Sequence, residues 1–342
     1  MTEHPHLPGL GYPERCQAPH WGGRPVHGGS TPPIRRWPGS LSGMTTGWDA
    51  LRRHAPAAAD SLDAVVATMW SDAAEAGLTD LVASCGGAAA DLLHLDSLDH
   101  LAVPGRHPGI PTADDEGVSA FAAQSCLDVA SVTPEQRAAF LAAAGDRAGT
   151  LAASLWVGEF VPRTRAALDA LFGSGPWPAP AAAPVPGGVW AALNGLIRTV
   201  PTLDALDPVT SELVRLRGAR QHDCRLCRSL RNRTALRAGA TEVEFAAVDH
   251  YEHSDLTPLA QAALKFTDAM IWTPGRIDPA AVTTLAAAAT PAQQVELVLD
   301  ITRNALNKIA VGLGADAAHV EEGVELYDVA PDGSLLYGLD PD

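Results

Sequence analysis

The sequence predicts an all-α protein, and three observations carry that expectation. The chain is rich in alanine and poor in aromatic residues, at 5%, a composition that suits helices packed through small side chains better than a sheet. Strand-like runs of Val, Ile, Thr and Tyr are nearly absent. Apolar residues instead recur at helical spacing, and two segments, Thr133-Pro-Glu-Gln136 and Thr290-Pro-Ala-Gln293, carry a helix start: an N-cap Thr, Pro at the first position and a capping-box Gln.

A length of 342 residues predicts two domains with two cores, plus tails. Residues 1–43 mix Pro, Gly, His and Arg without period and read as a disordered extension that includes Cys16. Met44 follows directly, at the head of a helix around Trp48 and Leu51, which makes it a candidate alternative start. Helical patterning spans 44–172. The segment 173–188 is rich in Pro and Ala, with glycines at both ends, and reads as a linker. The pattern resumes over 189–330, helical to about Tyr327, and 331–342 form a polar tail.

The two helical stretches read as tandem diverged repeats. Asp80-Leu-Val is followed by Gly86 and Asp91, and Glu212-Leu-Val by Gly218 and Asp223, at identical spacing. The two Thr-Pro-x-Gln starts each lead into a long amphipathic helix, with stripes Phe140, Ala144, Ala148, Leu151 and Val298, Ile301, Ala305, Ile309. The second copy carries Cys224 and Cys227 where the first has Leu92 and Leu95. The chemistry is therefore expected in the second copy alone.

A formal net charge of -16 argues against nucleic acid and anionic bilayers as partners. No apolar run is long enough to span a membrane. The first forty residues lack the pattern of a signal peptide, so the expected location is the cytoplasm. In a reducing compartment the five cysteines are redox or metal groups, or plain thiols, rather than structural disulfides.

Residues 211–240 hold the densest set of reactive side chains. Leu213, Leu216 and Ala219 predict one helix to about Arg220. Asp223 is the expected N-cap of a second, ending at Gly239. Cys224 then sits in a first helical turn, where orphan N–H groups favour thiolate. Cys227, three residues on, shares its face, and Arg231 extends the stripe. Arg225, Arg228 and Arg233 are expected to make the surroundings electropositive. On one continuous helix Glu212 would lie about 18 Å from Cys224. A break at Gln221-His222-Asp223 would bring its carboxylate back as a proton acceptor.

The spacing Glu212, eleven residues, Cys224, two residues, Cys227 resembles the signature of the alkylhydroperoxidase D and carboxymuconolactone decarboxylase superfamily. Segments 256–278 and 301–316 look like its later helices. The resemblance implies an alkylhydroperoxidase D-like helical bundle and an antioxidant peroxidase with a redox-active disulfide. Cys227 would attack a hydroperoxide and Cys224 resolve the sulfenic acid. A lipoyl-bearing or thioredoxin-like protein would return the electrons, homo-oligomers are expected, and neither metal nor organic cofactor is called for. Arg231 stands where the family has a proton-relaying His. Arginine stays protonated, and His222 is the candidate substitute. Lactone decarboxylation, the chemistry of the branch without the cysteine pair, is not expected.

Blander readings stand beside these. Cys-x-x-Cys with His250 and His253 is a poor zinc spacing, and haem attachment needs His where Arg228 stands. The arginines from Arg215 to Arg237 read as a solvated or subunit-contacting face. Cys85 and Cys126 read as small core residues, His222 as a cap or surface group, and Trp190 and Trp272 as packing residues. Asn304 and Asn307 fit either family positions or a hydrogen bond across helices. A redox-sensing or assembly protein without catalysis is the alternative function.

Overall fold

The computed structural model describes residues 46–95 and 116–340. The extension 1–43, with Cys16, and the candidate start Met44 lie outside the described residues. The chain is mostly helical. Its first stretch forms α1 (Gly47–His54), α2 (Pro56–Glu75), α3 (Thr79–Leu93), α4 (Glu116–Asp128), α5 (Pro134–Ala144) and α6 (Ala148–Phe172). The second forms α7 (Gly188–Thr199), α8 (Pro208–Gln221), α9 (Arg225–Arg228), then strand β1 (Leu230–Asn232). There follow α10 (Arg233–Arg237), α11 (Glu242–Ala247), α12 (Pro258–Trp272), α13 (Pro279–Ala288), α14 (Pro291–Asn304), α15 (Asn307–Leu313), and strands β2 (Glu325–Val329) and β3 (Leu335–Leu339). No helix among the described residues is long and apolar enough to cross a membrane.

Local chemistry explains most helix starts. Thr133 and Thr290 each form the expected capping box with the Gln three residues on, and Thr46 and Thr241 do the same with Asp49 and Glu244. Pro occupies the first turn of α2, α5, α8, α12, α13 and α14, where a missing N–H costs nothing. The two long amphipathic helices are each interrupted. Helix α5 stops at Ala144 and a tight turn at Gly145–Arg147 leads into α6; α14 stops at Asn304 and α15 starts at Asn307. Both apolar stripes therefore cross a break.

Two separate cores, one on either side of the linker, are not what forms. Buried apolar residues from Ala50 to Val311, drawn from both sides of 173–187, make one continuous cluster. Helix α6 carries much of it, with Leu151, Trp156, Phe160 and Leu168 buried. It meets α3 where a Cβ on Gly158 would stand 3.5 Å from the Gly86 Cα, so the pair of glycines sets the close approach. The segment 173–187 is neither helix nor strand, yet it is pinned. The rings of Trp177 and Trp48 lie 5.2 Å apart, and the Val185 N–H donates to Thr68 Oγ1 at 2.9 Å.

A second, smaller cluster gathers Leu213, Leu216, Ala235, Phe245, Val248, Tyr251 and Leu264. Helix α8 lies between the two, with Val214 and Ala219 in the main core and Leu213 and Leu216 in the smaller one. Its polar residues at Glu212 and Arg215 are thereby closed off from water.

The sheet is the feature that the composition hides. β1 runs parallel to β2, pairing Leu230 with Glu325 and Asn232 with Tyr327, and β2 turns back onto β3 as a hairpin. Helix does not continue to Tyr327: it ends at Leu313, and the polar tail holds an edge strand. Leu326, Tyr327, Val329, Leu335 and Tyr337 supply β-favouring side chains in a stretch too short to stand out from helical surroundings.

Candidate functional site

Helix α8 starts on Asp207, whose carboxylate accepts from the Thr210 N–H at 2.9 Å, and stops at Gln221. Asp223 takes a left-handed backbone, φ 51°, and the Cys224 N–H closes back on the Ala219 carbonyl at 3.0 Å. That is a helix stop of the kind Gly usually makes and Asp tolerates. The break expected at 221–223 is present. The long second helix is not, because only Arg225–Arg228 are helical before β1 begins. The N-cap is Cys224 itself, with its sulfur accepting from the Cys227 N–H at 3.2 Å, in place of Asp223.

Cys224 and Cys227 are joined as a disulfide, with Cα atoms 5.3 Å apart. Both are buried, 1% and 3% exposed. The turn that carries them is held from the far side by Asp316: its carbonyl accepts from the Leu226 N–H, and its carboxylate from the Arg225 N–H and guanidinium, at 2.7–2.9 Å. Cys227 faces a cavity of about 320 Å³, together with Leu226, Leu230, Arg303, Asn307 and Tyr337. Cys224 does not line it.

Glu212 does return to the neighbourhood, but its carboxylate is committed. Both oxygens take Arg215, at 2.6 and 2.7 Å, and they also accept from the Asn232 N–H at 3.0 Å and the Tyr327 hydroxyl at 3.0 Å. Arg215 also donates to the carbonyls of Cys227 and Leu230, at 2.7 and 2.8 Å. Burial alone would depress the guanidinium, but Glu212, Tyr327 and Tyr337 together reverse that, so its pKa lies above the usual arginine value. Burial, with Glu212 beside it, pushes the Tyr327 hydroxyl up. Glu212 thus grips the backbone around Cys227 through Arg215, and among the described residues no hydrogen bond joins its carboxylate to either sulfur.

The remaining expected site residues separate. Arg231 leaves the cysteine stripe: it is in β1, its guanidinium meets Glu242 at 3.0 Å and the Arg228 carbonyl at 2.9 Å, and it lies over the Phe245 ring. His222 is buried in another direction, lining a small cavity with Cys126, Arg163 and Lys308. Burial holds its pKa well below the usual histidine range, and Lys308 and Arg163 lower it further. The electropositive field is largely neutralised, because Arg225 pairs with Asp316, Arg228 with Asp223 and Arg233 with Asp328. Nor is the arginine series one solvated face, since Arg215 and Arg231 are buried.

The other assignments divide similarly. Cys85 and Cys126 are buried thiols, and burial beside Glu159 pushes Cys126 up to about 12. Trp190 and Trp272 are both 45% exposed, short of core packing, although the Trp272 indole donates to Gln221 at 2.7 Å. Asn304 and Asn307 line the Cys227 cavity. His250 precedes the turn at Tyr251–His253 and His253 ends it, and no group of three or more His, Cys, Asp or Glu among the described residues is placed to hold a metal ion.

Sequence reasoning missed four participants: Arg215, Tyr327, Glu296 and Asp300. Arg215 sits three residues after Glu212 on a helix with apolar flanks, a pairing signal that could have been read. Tyr327 gave no signal, because only the parallel pairing of β1 with β2 brings it there. Glu296 and Asp300, four apart on α14, interrupt an apolar run, which marks them. Burial, then the neighbouring Asp300, raises Glu296 to about 7, and burial raises Asp300 to about 6 against the pull of Arg303.

Two expectations follow. Glu212→Gln strands the buried Arg215 charge and should lower the unfolding free energy by about 3–5 kcal/mol. Glu242→Gln, whose carboxylate is 61% exposed, should cost at most about 1 kcal/mol; urea denaturation of the two variants compares them. Glu296 and Asp300 keep protons in the folded chain that the unfolded chain releases above about pH 4, so their contribution to stability falls as pH rises towards 7. Glu296→Gln with Asp300→Asn should therefore gain on the wild type between pH 4.5 and 7.5, by about 1.4 kcal/mol for each unit by which a pKa is raised. A pH-independent difference in unfolding free energy would contradict it.

No family model matches the chain, and no solved structure does. The uncharacterized proteins MT2376 and Rv2313c, from two strains of Mycobacterium tuberculosis, are each 40% identical to it over 230 residues, which is 65% of this chain and 80% of the relative. The chain belongs to the same family as these uncharacterized mycobacterial proteins.

Proposed function

We propose that this protein is a thiol–disulfide oxidoreductase of the alkylhydroperoxidase D-like kind, cytoplasmic, built on two diverged helical repeats and reducing hydroperoxides through Cys224 and Cys227. The observation that carries the reading is the asymmetry of the pair: Cys227 faces a cavity of about 320 Å³ and Cys224 does not. That volume suits a small organic molecule, and the cysteine that lines it is the one to which the family resemblance gives the attacking role. The apolar lining from Leu226, Leu230, Leu306 and Leu335 suits the carbon skeleton of an organic hydroperoxide.

In the reduced protein the Cys227 thiolate attacks the distal peroxide oxygen. The O–O bond breaks, and the departing alkoxide takes the Cys224 proton and leaves as alcohol. The Cys224 thiolate then attacks the Cys227 sulfenic acid, forming the disulfide and expelling hydroxide, which is protonated to water. One hydroperoxide and two thiols become alcohol, water and one disulfide, and a dithiol reductant, lipoyl-bearing or thioredoxin-like, restores the pair by exchange. Glu212 serves this scheme as a positioning residue, since Arg215 neutralises it and carries its hold to the Cys227 carbonyl.

A second reading, a redox switch without turnover, is favoured by one specific arrangement. Glu212, Arg231 and His222 are each engaged away from the sulfurs, so no side chain of the expected relay is left to shuttle protons. The experiment that separates the readings is thiol counting on fully reduced protein with cumene hydroperoxide, followed by steady-state turnover with a dithiol reductant. The enzyme loses two thiols rapidly and reversibly and then turns over, Cys227→Ser loses none, and Cys224→Ser loses one. Disulfide formation without turnover establishes the switch, and inert thiols overturn both.

A further inference from the structure

The Cys227 cavity has polar groups that hydroperoxide reduction does not employ. Leu226, Leu230, Leu306 and Leu335 give it apolar surface, and Arg303, Asn304 and Asn307 reach it from the break between α14 and α15. Although the chain carries a net charge of -16, no carboxylate among the described residues lines this cavity. Two guanidinium groups do, and they differ.

Arg215 is neutralised by Glu212. Arg303 is not matched in this way. Its Nε donates to the Ile197 carbonyl at 3.0 Å and its Nη1 to Asn304 Oδ1 at 3.4 Å, both neutral acceptors. Among the described residues Nη2 has no acceptor, and Arg303 forms no ion pair. Asp300, three residues earlier on α14, feels the charge of Arg303, but its side chain is hydrogen-bonded to Ser211 and lines a separate cleft. Arg303 borders that cleft too, yet no carboxylate there pairs with it. The Asn307 side chain also makes no hydrogen bond among the described residues.

A partly buried guanidinium beside apolar surface gains most from a ligand that brings a negative charge and accepts two N–H donors at once. A carboxylate does both. One unmatched positive charge balances one negative charge, which favours a monocarboxylate over a dianionic phosphate.

We propose that the cavity takes an organic monocarboxylic acid, with its carboxylate paired to Arg303 and within reach of the Asn307 amide, and its hydrocarbon body against the leucines. Joined to the peroxidase reading, on which this second part rests, the substrate is a hydroperoxy acid. The Cys227 thiolate takes its distal oxygen, the products are the hydroxy acid, water and the disulfide, and the dithiol reductant restores the thiols.

Two measurements on the full chain test this. Calorimetric titration at about pH 7.5 compares 4-isopropylbenzoate, which is ionised there, with the neutral 4-isopropylbenzamide of similar shape. The acid should bind about tenfold more tightly or better, the lower end of what a charge-assisted hydrogen bond is worth. Arg303→Gln should remove that preference, and Arg303→Lys, which keeps the charge without the fork, should keep part of it. Circular dichroism checks that each variant is folded, and the comparison of acid with amide on the wild type needs no variant. Steady-state turnover then compares 4-carboxycumene hydroperoxide with its methyl ester and with cumene hydroperoxide. The acid should have the highest kcat/KM, and Arg303→Gln should lower the ratio of acid to ester. No binding of the acid, equal binding of acid and amide, or an undiminished preference in folded Arg303→Gln would overturn the proposal. Preferential acid binding without turnover of any hydroperoxide would uphold the acid site and sink the peroxidase reading. Turnover of cumene hydroperoxide with no preference for the acid would sink the acid site alone.

Discussion

Glu212 and Arg215 form an ion pair closed off from water between the two apolar clusters that α8 separates, and the surroundings of the disulfide are assembled on it. Taking both charges out of water is expensive, and the cost is offset by the dense set of hydrogen bonds made to both ions. The carboxylate collects Arg215, the Asn232 N–H and the Tyr327 hydroxyl; the guanidinium collects the carbonyls of Cys227 and Leu230. Three successive pieces of chain, α8, the cysteine turn and β1, are thereby fixed together and to β2, which lies nearly a hundred positions further on.

That arrangement changes what the Glu-to-Cys spacing means. On sequence grounds the carboxylate is a proton acceptor for a thiol, waiting for a turn to bring it close. The turn exists, at a left-handed Asp223, but Arg215 reaches the carboxylate first. The glutamate acts on the sulfur's position, through two hydrogen-bonded links, rather than on its proton. Arg231 is displaced for a similar reason: once the chain enters β1, side chains alternate between faces with a period of two, and the helical stripe from Cys227 no longer applies.

The helical class, the four-residue start motifs and the break before the cysteines were legible because each depends on residues within a turn or two of one another. Thr133 with Gln136 and Thr290 with Gln293 are of that kind. The three-stranded sheet was not legible, since β1 is three residues long and gains its partner nearly a hundred positions later. The core that runs across the linker was hidden too: a Pro-rich segment looks like a spacer, and Trp177 against Trp48 and Val185 on Thr68 reveal that 173–187 is held at both points. Tyr327 and the carboxyl pair of α14 owe their surroundings to the same long-range packing. Arg215 is the residue that closer reading could have found.

The proposed chemistry is the reduction of a hydroperoxide at Cys227, the cysteine that lines the cavity. Trapping the intermediate tests it most directly: reduced Cys224→Ser protein, treated with one equivalent of cumene hydroperoxide in the presence of dimedone and digested for mass spectrometry. One dimedone adduct is expected, on Cys227, because the sulfenic acid forms there and has no resolving thiol. An adduct confined to Cys16, Cys85 or Cys126, or no adduct while the Cys227 thiol survives, would contradict it.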